Sequence, residues 1–577
     1  MIALVVMTAL AYWNTLGNEF IWDDTMLVVN NSYIRNFSYL GPAFRTDLFH
    51  GNSSWVATHY RPLQTVSYML DYAVWGLNPF GYHLTNLLLH ALCAVLVFAL
   101  VRRIFEHHAL AFATALLFAV HPVNTNGITY IAGRADPMAF AGMLGALLLF
   151  DAYRKNRNLT IYAASLVCYA AALFSRESAL LFPVLLVLYI VFVKAPWRAI
   201  VPFVLLAIAF AILRQVTLAE AQAWEGRPTA IAWALPVSVR WQIPFRSLAT
   251  YLGLLIWPAH LQMERQVVFG HPMLPALTMA GVIAFVLLVA GIIVAWRRSR
   301  PTAFGLLWFV LLLVPMLGVL NLNATVAEHW VYMASVGFYL AIVSLGLKLP
   351  ARIGYSVFGA VIIALMARTI SRNTDWTDAA TFYARTAKAA PYSASVRANL
   401  SRQYAEGGRT DRAFEELLAA ERLDPQSAPV KLKLAVAHMV RGDEAAARRT
   451  LDECLTLAPR NMSALLLAAE FAEADGDLYR ARQCLLTAMD AASNPLPAVH
   501  YAQFLLRQKE FDKAVTVARQ AVALEPGNAN LHNLLGVVLA ETGQFDEAQR
   551  AFEKAARLDR HSPDAKRNLQ KLERLRH

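Results

Sequence analysis

Charge is scarce in this chain. Asp, Glu, Lys and Arg together make up 16% of 577 residues, while hydrophobic types make up 57%. Soluble domains carry about a quarter charged residues, so an ordinary soluble globular protein is excluded for much of the sequence. Cysteine is scarcer still: Cys93 and Cys168 lie in apolar runs, Cys454 and Cys484 near the C-terminal end. No CxxC and no dense cysteine framework occurs, so the fold is not disulfide-dependent. The start lacks the basic residues and small-residue cleavage site of a secretion signal, so Met1–Leu16 reads as a first membrane helix. Beyond Arg372 no apolar run approaches the ~20 residues that a bilayer requires. The net charge of +12 is not a nucleic-acid signal, because the Lys and Arg residues are dispersed and many flank apolar runs.

The apolar runs fill the first two thirds of the chain. They predict about 11 spans, near 2–16, 84–101, 109–121, 135–151, 159–174, 178–193, 199–213, 275–296, 303–320, 331–347 and 353–370. Basic clusters stand at Arg102-Arg103, Arg154-Lys155 with Arg157, Lys194 with Arg198, Arg297-Arg298 with Arg300, and Lys348 with Arg352. All fall on one side of such a bundle, which becomes the cytoplasmic side. The segment 247–257, too short to cross and followed by Pro258, reads as a half-helix or interfacial helix. The long stretches 17–83 and 214–246 then lie outside, and loops of that length usually carry function.

The C-terminal part repeats itself. Alanines recur at Ala413, Ala447, Ala481, Ala514 and Ala548, and glycines at Gly408, Gly442, Gly476 and Gly543, with Lys509 in the remaining slot. Prolines close units at Pro391, Pro425, Pro459 and Pro526. A period of about 34 residues with small residues at fixed places is the signature of tetratricopeptide repeats. Such arrays offer a concave protein-binding surface and have no chemistry of their own. The basic, amphipathic stretch Asp564–His577 reads as a capping helix. The division is therefore 1–372 for the membrane domain, 373–390 for a linker or first repeat helix, and 391–577 for the repeats.

Polar motifs crowd the outer ends of the spans. Asp23-Asp24 follows the first span, and a carboxylate there has the chemistry of a general base. Arg61, in Tyr60-Arg61-Pro62-Leu63, Arg134, in Gly133-Arg134-Ala135-Asp136, and Arg176, in Ser175-Arg176-Glu177-Ser178, oppose the positive-inside bias. Arginine suits phosphate through its planar fork of donors. Simple ion pairs, Arg134 with Asp136 and Arg176 with Glu177, are the competing explanation. His121-Pro122-Val123-Asn124 and Glu328-His329-Trp330-Val331-Tyr332 complete the set. His50, His59, His83 and His121 have no spacing that supports a metal site.

Taken in order, Phe20-Ile21-Trp22-Asp23-Asp24, Tyr60-Arg61-Pro62-Leu63, His121-Pro122-Val123, Gly133-Arg134-Ala135-Asp136, Glu328-His329-Trp330-Val331-Tyr332-Met333 and Arg372-Asn373 with Asp375-Trp376 precede the repeats. This arrangement resembles the transmembrane and tetratricopeptide-repeat O-mannosyltransferases and their bacterial relatives. The resemblance implies an all-α, C-type glycosyltransferase membrane fold followed by an α-solenoid. It implies a catalytic base at Asp24 or Asp23, with Asp24 placed ahead although sequence orients neither side chain. It implies Arg134, Arg61 and Arg176 as ligands of the donor phosphate, with His121, Asp136, Glu177, Glu328 and His329 in support. His329 stands where the family pattern has arginine.

The expected activity is inverting transfer of a sugar, mannose in the family's name, from a polyprenyl-phosphate donor to a hydroxyl of a protein acceptor. It would occur on the non-cytoplasmic face, in a bacterial inner membrane, with the repeats on the same side holding the acceptor. No cofactor or divalent metal is expected, and the partners are the lipid-linked sugar, a protein or peptide acceptor and the bilayer, not nucleic acid. The alternative is a non-catalytic membrane scaffold that recruits partners through the repeats. A transporter would instead place charges near the middle of spans, whereas these crowd one face.

Overall fold

The apolar runs become helices because a helix satisfies its backbone N–H and C=O groups within one segment, as lipid requires. The computed structural model describes residues 1–49, 59–225, 236–263, 265, 274–320, 322, 324–491, 494–559 and 563–576. Among these the only β-type pairing is an isolated bridge between Arg265 and Val326. The chain separates into two units that part between Tyr392 and Ser393.

The first unit is built from α1 (Ile2–Tyr12), α2 (Pro62–Trp75), α3 (Pro79–Phe105), α4 (His108–Val120), α5 (Ala135–Asn156), α6 (Leu159–Ser175), α7 (Phe182–Val193), α8 (Val201–Glu225), α9 (Gln242–Ile256), α10 (Leu274–Arg298), α11 (Arg300–Leu313), α12 (Tyr332–Gly346), α13 (Ala351–Asn373) and α14 (Ala379–Ala389). Short 3₁₀ and helical turns join them. Six described segments are long and apolar enough to cross a bilayer by length and composition: Pro79–Phe105, Ile131–Asn156, Trp197–Ala219, Pro275–Arg298, Glu328–Gly346 and Ala351–Trp376. The expected count of about 11 is not met on this measure. The remaining apolar helices, Ile2–Gly17, His108–Val120, Leu159–Ser175, Glu177–Val193 and Arg300–Met316, run only 10–17 residues. Polar turns such as His121-Pro122 and Arg176-Glu177 end the helical runs of α4 and α6. The chain is nonetheless a multi-pass membrane protein. Of the segment 247–257, residues 247–256 belong to α9, which is 15 residues long and ends before Trp257.

Small residues let some of these helices approach closely, as membrane helices require. A Cβ on Gly337 of α12 would lie 2.4 Å from the Gly305 carbonyl oxygen of α11, and one on Gly305 would lie 2.5 Å from that of Gly337. At the basic end of the bundle, the buried Asp151 of α5 gathers Arg103 from α3, Arg154 at 2.8 Å, Lys155 at 3.5 Å and the Tyr189 hydroxyl of α7. Two of the basic clusters therefore share one end.

The second unit is a stack of helix pairs: α15 (Ala394–Glu406) with α16 (Thr410–Leu423), α17 (Ala428–Val440) with α18 (Glu444–Leu457), α19 (Met462–Ala474) with α20 (Leu478–Ala491), α21 (Leu496–Arg507) with α22 (Phe511–Leu524), and α23 (Ala529–Glu541) with α24 (Phe545–Leu558). The recurring alanines are all buried at the crossings of paired helices. Each turn between paired helices needs one left-handed residue, filled by Gly408, Gly442, Gly476 and Gly543 and, at φ +62°, by Lys509. The last helix, α25 (Pro563–Arg576), buries Ala565 and Leu572 and so closes the stack as a cap.

Candidate functional site

The turn after α1 decides how the two aspartates differ. Trp22 adopts φ +57°, a left-handed conformation that costs a bulky residue about 1–3 kcal/mol. Surrounding structure holds it there: its indole stacks on Tyr383 and meets Phe382 edge-on. The Asp24 N–H donates to the Ile21 carbonyl at 3.0 Å, and the Thr25 N–H to that of Trp22 at 3.3 Å. Asp24 is thereby turned inward and is 1% exposed. Its Oδ2 accepts from the Ile21 N–H at 3.1 Å and its Oδ1 from the Ala132 N–H at 2.8 Å. Burial pushes its carboxyl up to about 8, with those two N–H bonds opposing. Asp23, by contrast, is only half-buried. Burial raises its carboxyl too, while the Tyr130 hydroxyl and the Arg61 charge pull it down.

Arg134, expected as a phosphate ligand, is engaged by other residues of the protein. The side chain has no exposed surface. It pairs with Asp71 of α2 at 2.6 Å and donates to Asn86 Oδ1 at 2.9 Å, to the Ser67 hydroxyl at 3.1 Å and to the Tyr82 carbonyl at 3.0 Å. The guanidinium also lies 4.5 Å from the Tyr68 ring centroid. Gly133 permits this packing, since a Cβ there would sit 2.0 Å from the Asn126 carbonyl oxygen. Arg134 and Asn86 thus brace the turn 131–134, the same turn that Asp24 holds through Ala132.

The other expected ion pairs are also exchanged. Arg176 pairs with Asp136 at 2.9 Å, not with Glu177, and Asp136 does not pair with Arg134. Glu177 pairs instead with Arg61, whose Nε donates to its Oε2 at 2.8 Å. Glu177 Oε1 accepts from the Tyr60 N–H at 3.1 Å and lies 3.7 Å from His59 Nδ1 and 3.9 Å from Arg214 Nε. Burial, with the Arg61 charge beside it, pushes the His59 imidazole down to about 3, so it is neutral at physiological pH. His329 lies within electrostatic reach of Arg176, Arg61 and His59. Asp136, Arg176, Glu177, Arg61, Arg214, His59 and His329 therefore make one cluster, which reaches Asp23 through Arg61.

Two expected supporting residues stand elsewhere. His121 is 1% exposed and has both ring nitrogens engaged, Nε2 with the Leu255 carbonyl at 3.1 Å and Nδ1 with the Val123 N–H at 3.2 Å. Both ring nitrogens are thus taken up by backbone groups in this structure. Glu328 accepts from the Gln262 N–H at 2.6 Å and from Arg265 at 3.3 Å, with Arg372 at 4.0 Å. It knits the start of α12 to the end of α13 and is not part of the Arg61 cluster. His50 lies outside the described residues.

Sequence reasoning missed Asp71, Asn86 and Arg214. Arg214 alone carried a readable signal: it ends an apolar run on the side opposite the basic clusters.

Comparison with known proteins finds relatives of both units. Residues 67–217 match the family model described as dolichyl-phosphate-mannose-protein mannosyltransferase, and residues 505–572 match a tetratricopeptide-repeat model. The chain is similar to the transmembrane and tetratricopeptide-repeat O-mannosyltransferases. Human protein O-mannosyl-transferase TMTC3 is 24% identical over 621 residues, covering 98% of this chain and 64% of the relative. The Caenorhabditis elegans protein O-mannosyl-transferase F38B6.6 is 24% identical over 447 residues, covering 74% of this chain and 63% of the relative. Mouse TMTC1 reaches 39% over 153 residues, 26% of this chain and 16% of that protein. The chain thus spans a little under two thirds of the length of the human and Caenorhabditis elegans O-mannosyltransferases. The mannosyltransferase match, 67–217, contains Arg134, Asp136, Arg176, Glu177 and Arg214, which are the brace and most of the charged cluster.

Proposed function

We propose that this chain is a membrane glycosyltransferase that moves a sugar from a polyprenyl-phosphate donor to a hydroxyl of a protein acceptor. Mannose is the sugar suggested by the names of its relatives. The observation that carries the reading is the divergence of the two aspartates: Asp24 is consumed by two backbone N–H bonds, while Asp23 stays half-buried within the field of Arg61.

In this reading Asp23 is the base and Asp24 a positioning residue. The Asp23 carboxylate takes the proton of the acceptor hydroxyl as its oxygen attacks the anomeric carbon from the face opposite the phosphate. The carbon–oxygen bond to phosphate breaks, the electron pair stays on the phosphate, and the sugar inverts. Arg61 and Arg176 stabilise that growing charge. A phosphate leaves without a strong acid, so one carboxylate suffices and the step uses only this chain's own residues. We place the site and the repeats on the non-cytoplasmic face of a bacterial inner membrane, with the repeats holding the acceptor.

The test is incubation of the purified full chain with a panel of polyprenyl-phosphate sugars and co-expressed proteins, read by mass spectrometry. Transfer by the wild type and none by Asp23→Asn is the expected result. Equal transfer by both would end the catalytic reading and leave the recruiting scaffold.

A further inference from the structure

Glu177 is an anion among the basic side chains of the cluster. Its carboxylate faces Arg61, Arg214 and His59, and the neighbouring Arg176 is occupied by Asp136. Three guanidiniums so close together repel one another unless anions lie between them. With His59 neutral, the described arginines of the cluster exceed Asp136 and Glu177 by one positive charge.

Arg214 holds an informative place. On α8, Phe203, Phe210 and Leu218 are buried, whereas Leu205, Ile208, Ile212 and Val216 are between 51% and 68% exposed. Residues 203, 210, 214 and 218 share one helical face, and Arg214 lies on it, facing the cluster. The opposite face is apolar and suits lipid. This helix therefore forms a wall between the cluster and the surrounding bilayer, and Arg214 is the cluster's cation on that wall. Its contact with Glu177, at 3.9 Å, is long for an ion pair, whereas a guanidinium–phosphate bond is about 2.7–2.9 Å. Arg61, for its part, uses only Nε on Glu177.

We infer that Arg214 joins Arg61 in gripping the phosphate of the lipid-linked donor, and that Glu177 is the built-in anion which that phosphate displaces. The inference rests on the glycosyltransferase reading and deepens it. Glu177 lies against both arginines in this structure. An incoming phosphodiester, with one negative charge, replaces it between them.

The sign of the effect separates this role from a purely structural one. If Glu177 competes with phosphate, removing its charge tightens donor binding. If Glu177 only aims Arg61, removing its charge loosens it. The experiment measures binding of a short-chain polyprenyl phosphate to the full chain in nanodiscs, alongside transfer from the matching polyprenyl-phosphate sugar. Glu177→Gln is expected to tighten binding about fivefold, and Arg214→Gln to weaken it about tenfold, the loss of one charge-assisted contact. Weaker binding by Glu177→Gln overturns the displacement. Unchanged binding by Arg214→Gln overturns the grip, and this variant decides even where Glu177→Gln fails to fold. Wild-type transfer alongside either negative leaves the glycosyltransferase reading standing. A wild type that neither binds the phosphate nor transfers sugar overturns both.

Discussion

Replacing each aspartate of the Asp23-Asp24 pair by asparagine should produce two different kinds of damage. Asparagine keeps the size of aspartate but exchanges one acceptor oxygen for an NH₂ donor. At Asp24 both oxygens already accept backbone N–H bonds, from Ile21 and Ala132, in a side chain that is 1% exposed. One of the two bonds must be lost, and the new NH₂ then faces an N–H with no acceptor between them. A hydrogen bond to a neutral group contributes about 0.5–1.5 kcal/mol, and a buried unsatisfied donor adds about 1–3 kcal/mol. Asp24→Asn should therefore destabilise the protein by about 2–4 kcal/mol and loosen the turn at 131–134.

Asp23→Asn should do the reverse. Its carboxylate is held against the cost of burial, so a neutral side chain is tolerated or slightly stabilising. Turnover should fall about 10²–10⁴-fold, the usual loss when a general base is removed. The assay is thermal unfolding in detergent for all three proteins, followed by transfer measured well below the unfolding temperature of each. Two results would refute the reasoning. One is near-normal transfer by Asp23→Asn. The other is an Asp24→Asn protein as stable as the wild type.

What was legible in the sequence follows from how far each signal reaches along the chain. The repeats were readable because their determinants are local and periodic: one small residue per crossing and one left-handed residue per turn, about every 34 residues. Even the irregular unit obeyed, with Lys509 forced to the conformation that glycine takes elsewhere. The apolar helices were readable from composition, but their lengths were not, because polar turns end several of them early. The charged pairs were the least legible. Sequence proximity suggested Arg134 with Asp136 and Arg176 with Glu177, yet residues one or two apart on a helical turn do not face each other. The actual partners, Asp71 for Arg134 and Glu177 for Arg61, lie on other elements and depend on how helices pack. The same limit applies to Asp23 and Asp24: only the left-handed Trp22 between Ile21 and the pair fixes which carboxylate turns inward.

Arg134→Ala should cost about 3–5 kcal/mol, because it strands the buried Asp71 carboxylate; the loss should appear as low folded yield rather than as a raised donor KM in the protein that survives. Lys509→Gly should stabilise the repeats by about 1 kcal/mol, since it relieves a left-handed side chain; slower hydrogen exchange in α21 and α22 would show it. The pH profile tests the proposed base most directly. Burial raises the Asp23 carboxyl, and only the carboxylate can accept a proton. Transfer should therefore be full at higher pH and fall away as pH drops through a value above the ordinary carboxylate range of about 4. The Arg61 charge opposes that rise, so Arg61→Gln should move the acid limb to still higher pH as well as weaken donor binding. An acid limb near the ordinary carboxylate value, or one that Arg61→Gln leaves in place, would mean that the titrating group is not Asp23 beside Arg61.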